Sequence, residues 1–286
     1  MALSPLVTAD SAAGDGHDVA FVLGGGGVLG ASEVGMLRGL FDAGIRPDLV
    51  VGTSVGALNG AVVAHDPTMR SVEKLTDVWM STASSVWAVS PLERVMSVAR
   101  TRTALHSIEP LRDILTEHLG DAQIEDLPVP YHCCAASIER ASEHWFTDGP
   151  VVDAVLASCS VPGLFPAFEL DGEHYVDGGI VNSIPVGRAV ELGARTIYVL
   201  QVGRIERNLT APTTPWEVGL VAFEIARRHR FARDMAAVPK DVTVHLLPSG
   251  EDLAPLSTLR YRDTRSVTRR IEQSEAATLD YLEQIG

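Results

Sequence analysis

The sequence predicts an α/β protein whose sheet begins with parallel strands. The first two apolar runs each lead through a glycine-containing turn into a helix-compatible segment, which makes a βαβ beginning. Further apolar runs alternate with amphipathic segments along most of the chain. With 286 residues, of which 46% are hydrophobic, the chain can bury a large core within a single α/β domain.

The first strand is expected over residues 17–23, which are nearly all apolar from Val19 onward. Such a run is typical of a central strand that is buried on both faces of a parallel sheet. It leads directly into Gly24-Gly25-Gly26-Gly27-Val28-Leu29-Gly30. A helix over residues 31–43 follows, with apolar residues at helical spacing on one face, and Gly44 ends it.

The second strand, residues 48–51, leads into Gly52-Thr53-Ser54-Val55-Gly56, a G-x-S-x-G pentapeptide, and residues 57–64 are compatible with a helix. Strand, tight turn and helix are the context that a nucleophile elbow requires. The small residues around the serine let neighbouring backbone come close. The hydroxyl would lie at a helix N-terminus, where developing negative charge is favoured. Ser54 is therefore a candidate nucleophile.

The rest of the chain continues the alternation of helices and strands. A rigid loop is expected over residues 160–166, which contain two prolines, and a hairpin turn is expected at Asp171-Gly172. The predicted helices cover residues 67–80, 109–119, 150–158, 186–192, 215–237 and 262–285, and the predicted strands cover residues 129–137, 143–146, 175–177, 195–202 and 242–247.

Asp177 is the second candidate functional residue. It ends a short strand and is followed by Gly178 and Gly179. A turn is the simplest interpretation of an Asp-Gly pair. A helix and another apolar strand follow, however, so Asp177 also falls at a strand end, where open α/β sheets bind their ligands.

The glycine run after the first strand admits three interpretations. A phosphate-binding loop would continue with a lysine, and none follows. A dinucleotide fingerprint can be placed on Gly25, Gly27 and Gly30, but the second strand then has to end in an acidic residue, and it ends at the serine elbow instead. A glycine loop beside such an elbow fits better as an oxyanion hole built from backbone N–H groups.

These motifs together resemble the patatin-like phospholipases. The glycine run, the G-x-S-x-G elbow and Asp177-Gly178-Gly179 occur in the order and context of that family. The segments over residues 157–166 and 182–186 look like those of its bacterial members, and the resemblance covers about residues 19–247. It departs from the bacterial pattern at Leu29, since an arginine is usual at or near that position.

The resemblance implies a three-layer α/β/α fold with a mainly parallel central sheet, and a lipid acyl hydrolase that acts on a lipid or fatty acyl ester. In such an enzyme Ser54 would be the nucleophile and Asp177 the general base. The N–H groups of Gly25, Gly26 and Gly27 would form the oxyanion hole. An arginine lost at position 29 removes no backbone donor, although it weakens any expectation that a phosphate headgroup is held there.

Composition excludes several other classes. A formal net charge of −14 argues against nucleic acid and against a polybasic membrane anchor. No run approaches the roughly 20 apolar residues that span a bilayer, and no calcium loop or metal-ligand cluster appears, so we expect no cofactor. Cys133, Cys134 and Cys159 lie in apolar segments, as reduced core residues do. We expect a cytoplasmic protein with transient contact to a membrane surface, and its oligomeric state stays open.

Residues 1–17 are small and polar and are expected to form a flexible tail, which leaves residues 18–286 as a single catalytic domain. Among the charged segments, Arg227, Arg228, Arg230 and Arg233 are expected to lie on a solvated helix face. Residues 79–99 are apolar but lack a steady helical period. Either they form a core helix, or they form a mobile cover over an acyl pocket.

Three alternative functions stay open. An α/β-hydrolase with a Ser-His-Asp triad needs a histidine after the acid, and His245 is the candidate, although it lies inside the predicted strand 242–247. A non-catalytic lipid-binding regulator could keep the same fold. A nucleotide-binding module is the third alternative. The order of a triad also argues against four histidines considered for this role, since they precede Asp177: His65, His132, His144 and His174.

Overall fold

The structure is a computed structural model that describes residues 17–85, 103–202, 205, 208–250 and 264–285. The described strands belong to one sheet. They are β1 (Val19–Leu23), β2 (Leu49–Thr53), β3 (Tyr131–Ser137), β4 (Ser142–Phe146), β5 (Phe168–Leu170), β6 (Glu173–Asp177), β7 (Thr196–Leu200) and β8 (Thr243–Leu246).

The described helices connect and cover these strands, and short 3-10 helices lie at Gly27–Gly30 and Ile124–Asp126. The α-helices are α1 (Ala31–Asp42), α2 (Val55–His65), α3 (Met69–Ser85), α4 (Glu109–Leu119), α5 (Val151–Ser158), α6 (Gly179–Asn182), α7 (Val186–Glu191), α8 (Pro215–Ala237) and α9 (Thr264–Ile285).

The sheet has the strand order β5-β6-β3-β2-β1-β7-β8, and β4 pairs with β3. The five strands β3-β2-β1-β7-β8 run parallel to one another. The remaining strands are antiparallel additions, because β4 and β6 pair with β3 in the opposite direction and β5 forms a hairpin with β6. The predicted α/β class with a mainly parallel sheet is therefore confirmed.

The central strands are buried on both faces, as their continuous apolar runs predict. Alternate residues of β1 belong to different cores: Phe21 and Leu23 pack in one cluster, and Ala20 and Val22 in the other. The first cluster lies under α1 to α5 and α9, and the second includes residues of α7 together with Phe231 of α8. Helices on both faces of one sheet make the expected three-layer α/β/α arrangement.

The pairing of β3 brings two strand ends together. β4 runs along one edge of β3 from Cys133 to Ser137, so β2 and β6 must share the other edge. β2 ends with Thr53 opposite Cys134, and β6 ends with Asp177 opposite the next residue, Ala135. The residue after Thr53 therefore lies beside the end of β6, although the two strands are far apart in sequence.

Helix α3 is longer than the sequence predicts. The sequence predicts a helix that ends at residue 80, but α3 continues to Ser85. The Thr82 hydroxyl donates to the carbonyl of Val78 (2.7 Å), so this polar side chain is satisfied within the helix. Residues 86–99, most of the segment expected to be a cover or a core helix, lie outside the described residues. Within the part of the chain that the structure describes, no helix is both long and apolar enough to cross a membrane.

Candidate active site

Ser54 lies on a strained turn between β2 and α2. Its backbone has φ 57° and ψ −126°, a conformation that residues with side chains rarely adopt. The carbonyl of Ser54 accepts the N–H groups of Ala57 and Leu58, which closes the first turn of α2. The serine therefore stands at the helix N-terminus, as the G-x-S-x-G pattern predicts.

The two glycines of the pentapeptide are required because backbone segments come into contact around the turn. A Cβ atom on Gly56 would lie 2.2 Å from the carbonyl oxygen of Leu23, and one on Gly52 would lie 2.5 Å from the carbonyl oxygen of Gly56. Both distances are too short for any side chain, and backbone cannot swing aside as a side-chain end can. The two glycines thus allow α2 to pack directly against the end of β1, where the glycine loop begins.

The side chain of Asp177 contacts that of Ser54 directly. The Ser54 hydroxyl donates to Oδ2 of Asp177 at 2.6 Å, and the N–H of Gly179 donates to Oδ1 at 2.7 Å. Both residues are 5% exposed. They are 123 positions apart in the sequence, and their strands come together on the shared edge of β3. A hydroxyl and a carboxylate at this distance form the acid–base pair that nucleophilic catalysis needs.

Burial changes the acidity of Asp177. Removal from water raises the pKa of the carboxyl group from 3.8 to about 6, against the opposing effect of the hydrogen bonds from Ser54 and Gly179. A base is most effective when its pKa lies near the working pH, so this shift makes an aspartate more suitable as a general base at neutral pH.

Ser158, at the end of α5, holds both strand ends. Its hydroxyl accepts the N–H of Ser54 (2.8 Å) and donates to the carbonyl of Cys134 (2.5 Å). The Ser158 carbonyl accepts the N–H of Gly178, and that of Ser160 accepts the N–H of Asp177. Neither serine has a role that could be predicted from the sequence motifs. The one available signal was a small polar residue at the end of an apolar helix.

The glycine loop is held differently from the expectation. The N–H of Gly24 donates to the carbonyl of Leu200 (2.9 Å), and the N–H of Gly25 donates to the carbonyl of Ser183 (2.8 Å). The N–H of Gly25 is therefore not a free oxyanion donor in this arrangement, because it already donates to the Ser183 carbonyl. Among the described hydrogen bonds, none uses the N–H of Gly26 or Gly27.

A buried polar group supports the end of the glycine loop. The Asn59 amide donates to the carbonyl of Gly30 (3.0 Å) and to Glu33 (2.7 Å), and its oxygen accepts the indole N–H of Trp79 (2.9 Å). Burial raises the pKa of Glu33 well above its usual range, which favours the neutral acid. Sequence reasoning missed Glu33 and Asn59, since nothing in the local sequence shows that these polar residues of α1 and α2 face each other.

An apolar pocket opens beside Ser54. It has a volume of about 50 Å³, and its walls come from α2, α3, α4 and the loop after α5. The indole of Trp79 forms part of the wall, so the same side chain that binds Asn59 also faces the pocket. An apolar pocket next to a candidate nucleophile suits a hydrocarbon chain. Its lining residues are Gly27, Ser54, Val55, Leu58, Trp79, Thr82, Leu111, Cys159, Val161 and Phe165.

The other residues singled out from the sequence lie elsewhere. His245 is on β8, three strands from β2, where its ring stacks on Tyr198 and Nδ1 lies 3.1 Å from the Tyr281 hydroxyl. It therefore takes no part in the Ser54–Asp177 pair. The expectation that Arg227 lies on a solvated helix face is wrong. It is 5% exposed, and its guanidinium donates hydrogen bonds to Ser183 in the loop after α6 and to Gln201 in the loop after β7.

The chain was compared with known proteins. The family model described as "Patatin-like phospholipase" matches residues 21–190. Patatin-like phospholipase domain-containing protein 7 of Rattus norvegicus is 32% identical over 198 residues, which cover 68% of this chain and 14% of that protein. The human patatin-like phospholipase domain-containing protein 6 is 32% identical over 190 residues, which cover 66% of this chain and 14% of the relative.

Other matches extend the comparison. Lysophospholipase nte1 of Aspergillus terreus is 31% identical over 202 residues, which cover 68% of this chain and 12% of that protein. Among solved structures, the match with VipD from Legionella pneumophila covers 94% of this chain and 67% of the VipD chain, with a TM-score of 0.49 and 13% sequence identity. This similarity is too low to bear on function. The matched part of this chain thus spans about one seventh or less of the length of the sequence relatives. The family model nevertheless matches more than half of the chain, which therefore belongs to the patatin-like phospholipase family.

Proposed function

We propose that the chain is a lipid acyl hydrolase that cleaves carboxylic esters with Ser54 as nucleophile and Asp177 as general base. The observation that carries the proposal is the 2.6 Å hydrogen bond between the Ser54 hydroxyl and Asp177, at two buried strand ends. Family membership supports it, since the relatives include proteins named as phospholipases and lysophospholipases.

The proposed reaction has two halves. Asp177 takes the proton of the Ser54 hydroxyl as the oxygen attacks the ester carbonyl carbon, and the carbonyl oxygen becomes an oxyanion. The protonated Asp177 then gives the proton to the leaving alcohol, and an acyl group stays on Ser54. In the second half Asp177 takes a proton from water as the water oxygen attacks the acyl carbon. The bond between that carbon and Ser54 Oγ then breaks, Asp177 returns the proton to Oγ, and the fatty acid leaves.

The oxyanion needs donors that are already in place. The glycine loop lies beside Ser54, since a Cβ atom on Gly25 would be 3.4 Å from the serine Cβ. We assign the N–H groups of Gly26 and Gly27 to this role, because the described hydrogen bonds leave both unused. The Gly25 N–H can join them only if its bond to Ser183 breaks. Removal of one such donor costs roughly 100- to 1000-fold in rate.

The apolar pocket indicates the acyl side of the substrate. Leu58, Leu111 and Phe165 line a narrow space that begins at Ser54. Such a space suits one extended acyl chain, which is why we propose single-chain esters such as lysophospholipids as the preferred class. A panel of esters and phospholipids with different chain lengths and headgroups would define the preference.

A fluorophosphonate ester tests the proposal because it reacts covalently with activated serines. We expect it to label the wild-type protein and to block hydrolysis of a soluble short-chain ester. Ser54→Ala should lose both the label and the hydrolysis, while Ser71→Ala, which changes a buried serine of α3, should keep both. Hydrolysis by a purified, folded Ser54→Ala protein would overturn the proposal. Lipid binding without labelling or hydrolysis would favour the non-catalytic regulator.

A further inference from the structure

Arg227 is a buried arginine close to the glycine loop. It lies on α8, and its guanidinium donates to four acceptors at 3.0–3.2 Å. Only one of these, Glu224, is charged, and it lies one helical turn away on the same helix. The other three acceptors belong to loops outside α8: Ser183 Oγ, Gln201 Oε1 and the carbonyl of Val202.

The same three residues border the glycine loop. Ser183 accepts the Gly25 N–H through its carbonyl, and a Cβ atom on Gly25 would lie 3.1 Å from Ser183 Oγ. Gln201 would touch a Cβ atom on Gly24 at 3.5 Å. Val202 packs against Gly26 so closely that a Cβ atom there would lie 1.7 Å from its side chain. The Arg227 guanidinium therefore donates hydrogen bonds to three residues that each contact the glycine loop between Gly24 and Gly26.

Burial of the Arg227 guanidinium costs free energy, because the charge loses its hydration. Removal from water lowers the pKa of Arg227, against the opposing charge of Glu224. An apolar side chain of similar volume could fill the space without desolvating a charge. The fork of the guanidinium does something that no apolar group can do, because it holds a side-chain oxygen and a backbone carbonyl in fixed relative positions.

We propose that Arg227 is a positioning residue for the oxyanion hole. It holds Ser183 and Val202 in the places that aim the N–H groups of the glycine loop toward the oxygen of the ester carbonyl that Ser54 attacks. This inference rests on the proposed hydrolase function. It goes further by assigning transition-state geometry to a residue that touches neither the substrate nor the Ser54–Asp177 pair.

A purely structural role has different consequences. If Arg227 only anchors α8, its loss lowers the melting temperature and leaves the kinetics of the folded fraction unchanged. If it positions the oxyanion donors, its loss lowers kcat and leaves KM almost unchanged, because those donors act mainly in the transition state. The split between kcat and KM therefore separates the two roles.

The experiment measures kcat, KM and the rate of fluorophosphonate labelling at one pH, well below the melting temperature of each variant. Arg227→Met removes the charge and the fork, whereas Arg227→Lys keeps the charge on a single donor group. Arg233→Met, an exposed arginine on the same helix, is the matched control. Ser183→Ala removes one acceptor and keeps the carbonyl that binds Gly25.

We expect Arg227→Met to lower kcat and the labelling rate by about tenfold, less than the loss of a whole donor, with KM within about twofold of the wild type. Ser183→Ala should lower kcat by about threefold, and the double variant should lose less than the product of the two single effects, since both act on one network. Arg227→Lys should fall between Arg227→Met and the wild type. The control should match the wild type.

A folded Arg227→Met protein with kcat within about twofold of the wild type would overturn the inference, as would an effect confined to KM. If Arg227→Met fails to fold, Arg227→Lys and Ser183→Ala decide: a selective fall of kcat in either supports the inference, and wild-type kcat in both overturns it. Activity in Ser54→Ala would overturn the proposed function and this inference with it. An inactive Ser54→Ala with a fully active Arg227→Met overturns the inference alone.

Discussion

The ends of β2 and β6 hold the two members of the candidate dyad in different ways. At the end of β2, the backbone places Ser54 through a strained φ of 57° and two glycines that admit no side chain. At the end of β6, Asp177 is placed by hydrogen bonds from Ser54 and the nearby Gly179 and by its own N–H donation to Ser160, and burial raises its pKa. Steric constraints therefore place Ser54 at the end of β2, whereas hydrogen bonds and burial determine the position and the acidity of Asp177 at the end of β6.

This difference separates the consequences of substitution. A change in the glycines of the β2 end should break the fold before it alters the chemistry, because backbone atoms would collide. A change at Asp177 should alter the chemistry and leave the fold intact, because a neutral isostere fits the same space. Four predictions test the contrast, from the largest expected effect to the smallest.

Gly56→Ala should have the largest effect and act on stability. The added methyl group would lie 2.2 Å from the carbonyl oxygen of Leu23, so α2 and β1 would have to separate. We expect a loss of roughly 3 kcal/mol or more in the free energy of unfolding, and a melting temperature lower by about 10 °C. Gly219→Ala is the control: it also lies on a helix, has open space around it, and should be neutral or slightly stabilising. Equal melting temperatures for both variants would contradict the steric account.

Asp177→Asn should lower the rate of ester hydrolysis by at least about 100-fold and keep the native circular dichroism, because only the proton acceptor is lost. It should also stabilise the protein at pH 7.5. The folded pKa of Asp177 is raised, so the folded state binds more protons between about pH 4 and 6, and wild-type stability falls as the pH rises through that window.

The raised pKa of Asp177 corresponds to a free energy of unfolding that is higher in Asp177→Asn than in the wild type, by on the order of 3 kcal/mol at pH 7.5. This difference should disappear near pH 4, where wild-type Asp177 is protonated and therefore neutral in the folded state. Denaturant titrations of both proteins at the two pH values measure it. A variant that is less stable than the wild type at pH 7.5 would show that the charge of Asp177 is compensated within the folded protein.

The wild-type rate should follow the ionisation of Asp177. Since only the carboxylate can accept the Ser54 proton, kcat/KM should rise with pH through a midpoint of about 6 and level off above about pH 7, with about one tenth of the plateau at pH 5. The elbow contains no titratable group of its own, so the profile should show this single step. A profile with its midpoint near pH 4 would mean that water reaches Asp177 in the working enzyme and removes the effect of burial.

His245→Ala should have the smallest effect and separates the dyad from a triad. The ring of His245 stacks on Tyr198 at the β8 edge of the sheet, far from the two strand ends. We expect kcat to stay within about twofold of the wild type, and stability to fall by about 1 kcal/mol through the lost ring contact. An inactive His245→Ala protein with native circular dichroism would favour a Ser-His-Asp mechanism instead.

The sequence was most informative where the structure depends on neighbours in the chain. The central strands and most helices lie within a few residues of the predicted bounds, because apolar periodicity and glycine punctuation are local signals. The main error in a helix boundary lies at the end of α3, where the polar side chain of Thr82 donates its hydrogen bond inside the helix. The organisation into a tail and one catalytic domain stays a prediction.

By itself the sequence determined that Ser54 stands on an elbow after a strand and that Asp177 ends another strand, since both follow from short motifs and their flanking residues. Only the tertiary structure decided which distant groups support them. The hydroxyl of Ser158, the carbonyl of Ser183 and the buried guanidinium of Arg227 each act across many residues of chain. A polar residue on a helix gives no local sign of whether it faces water or a buried partner, because that depends on how the layers pack.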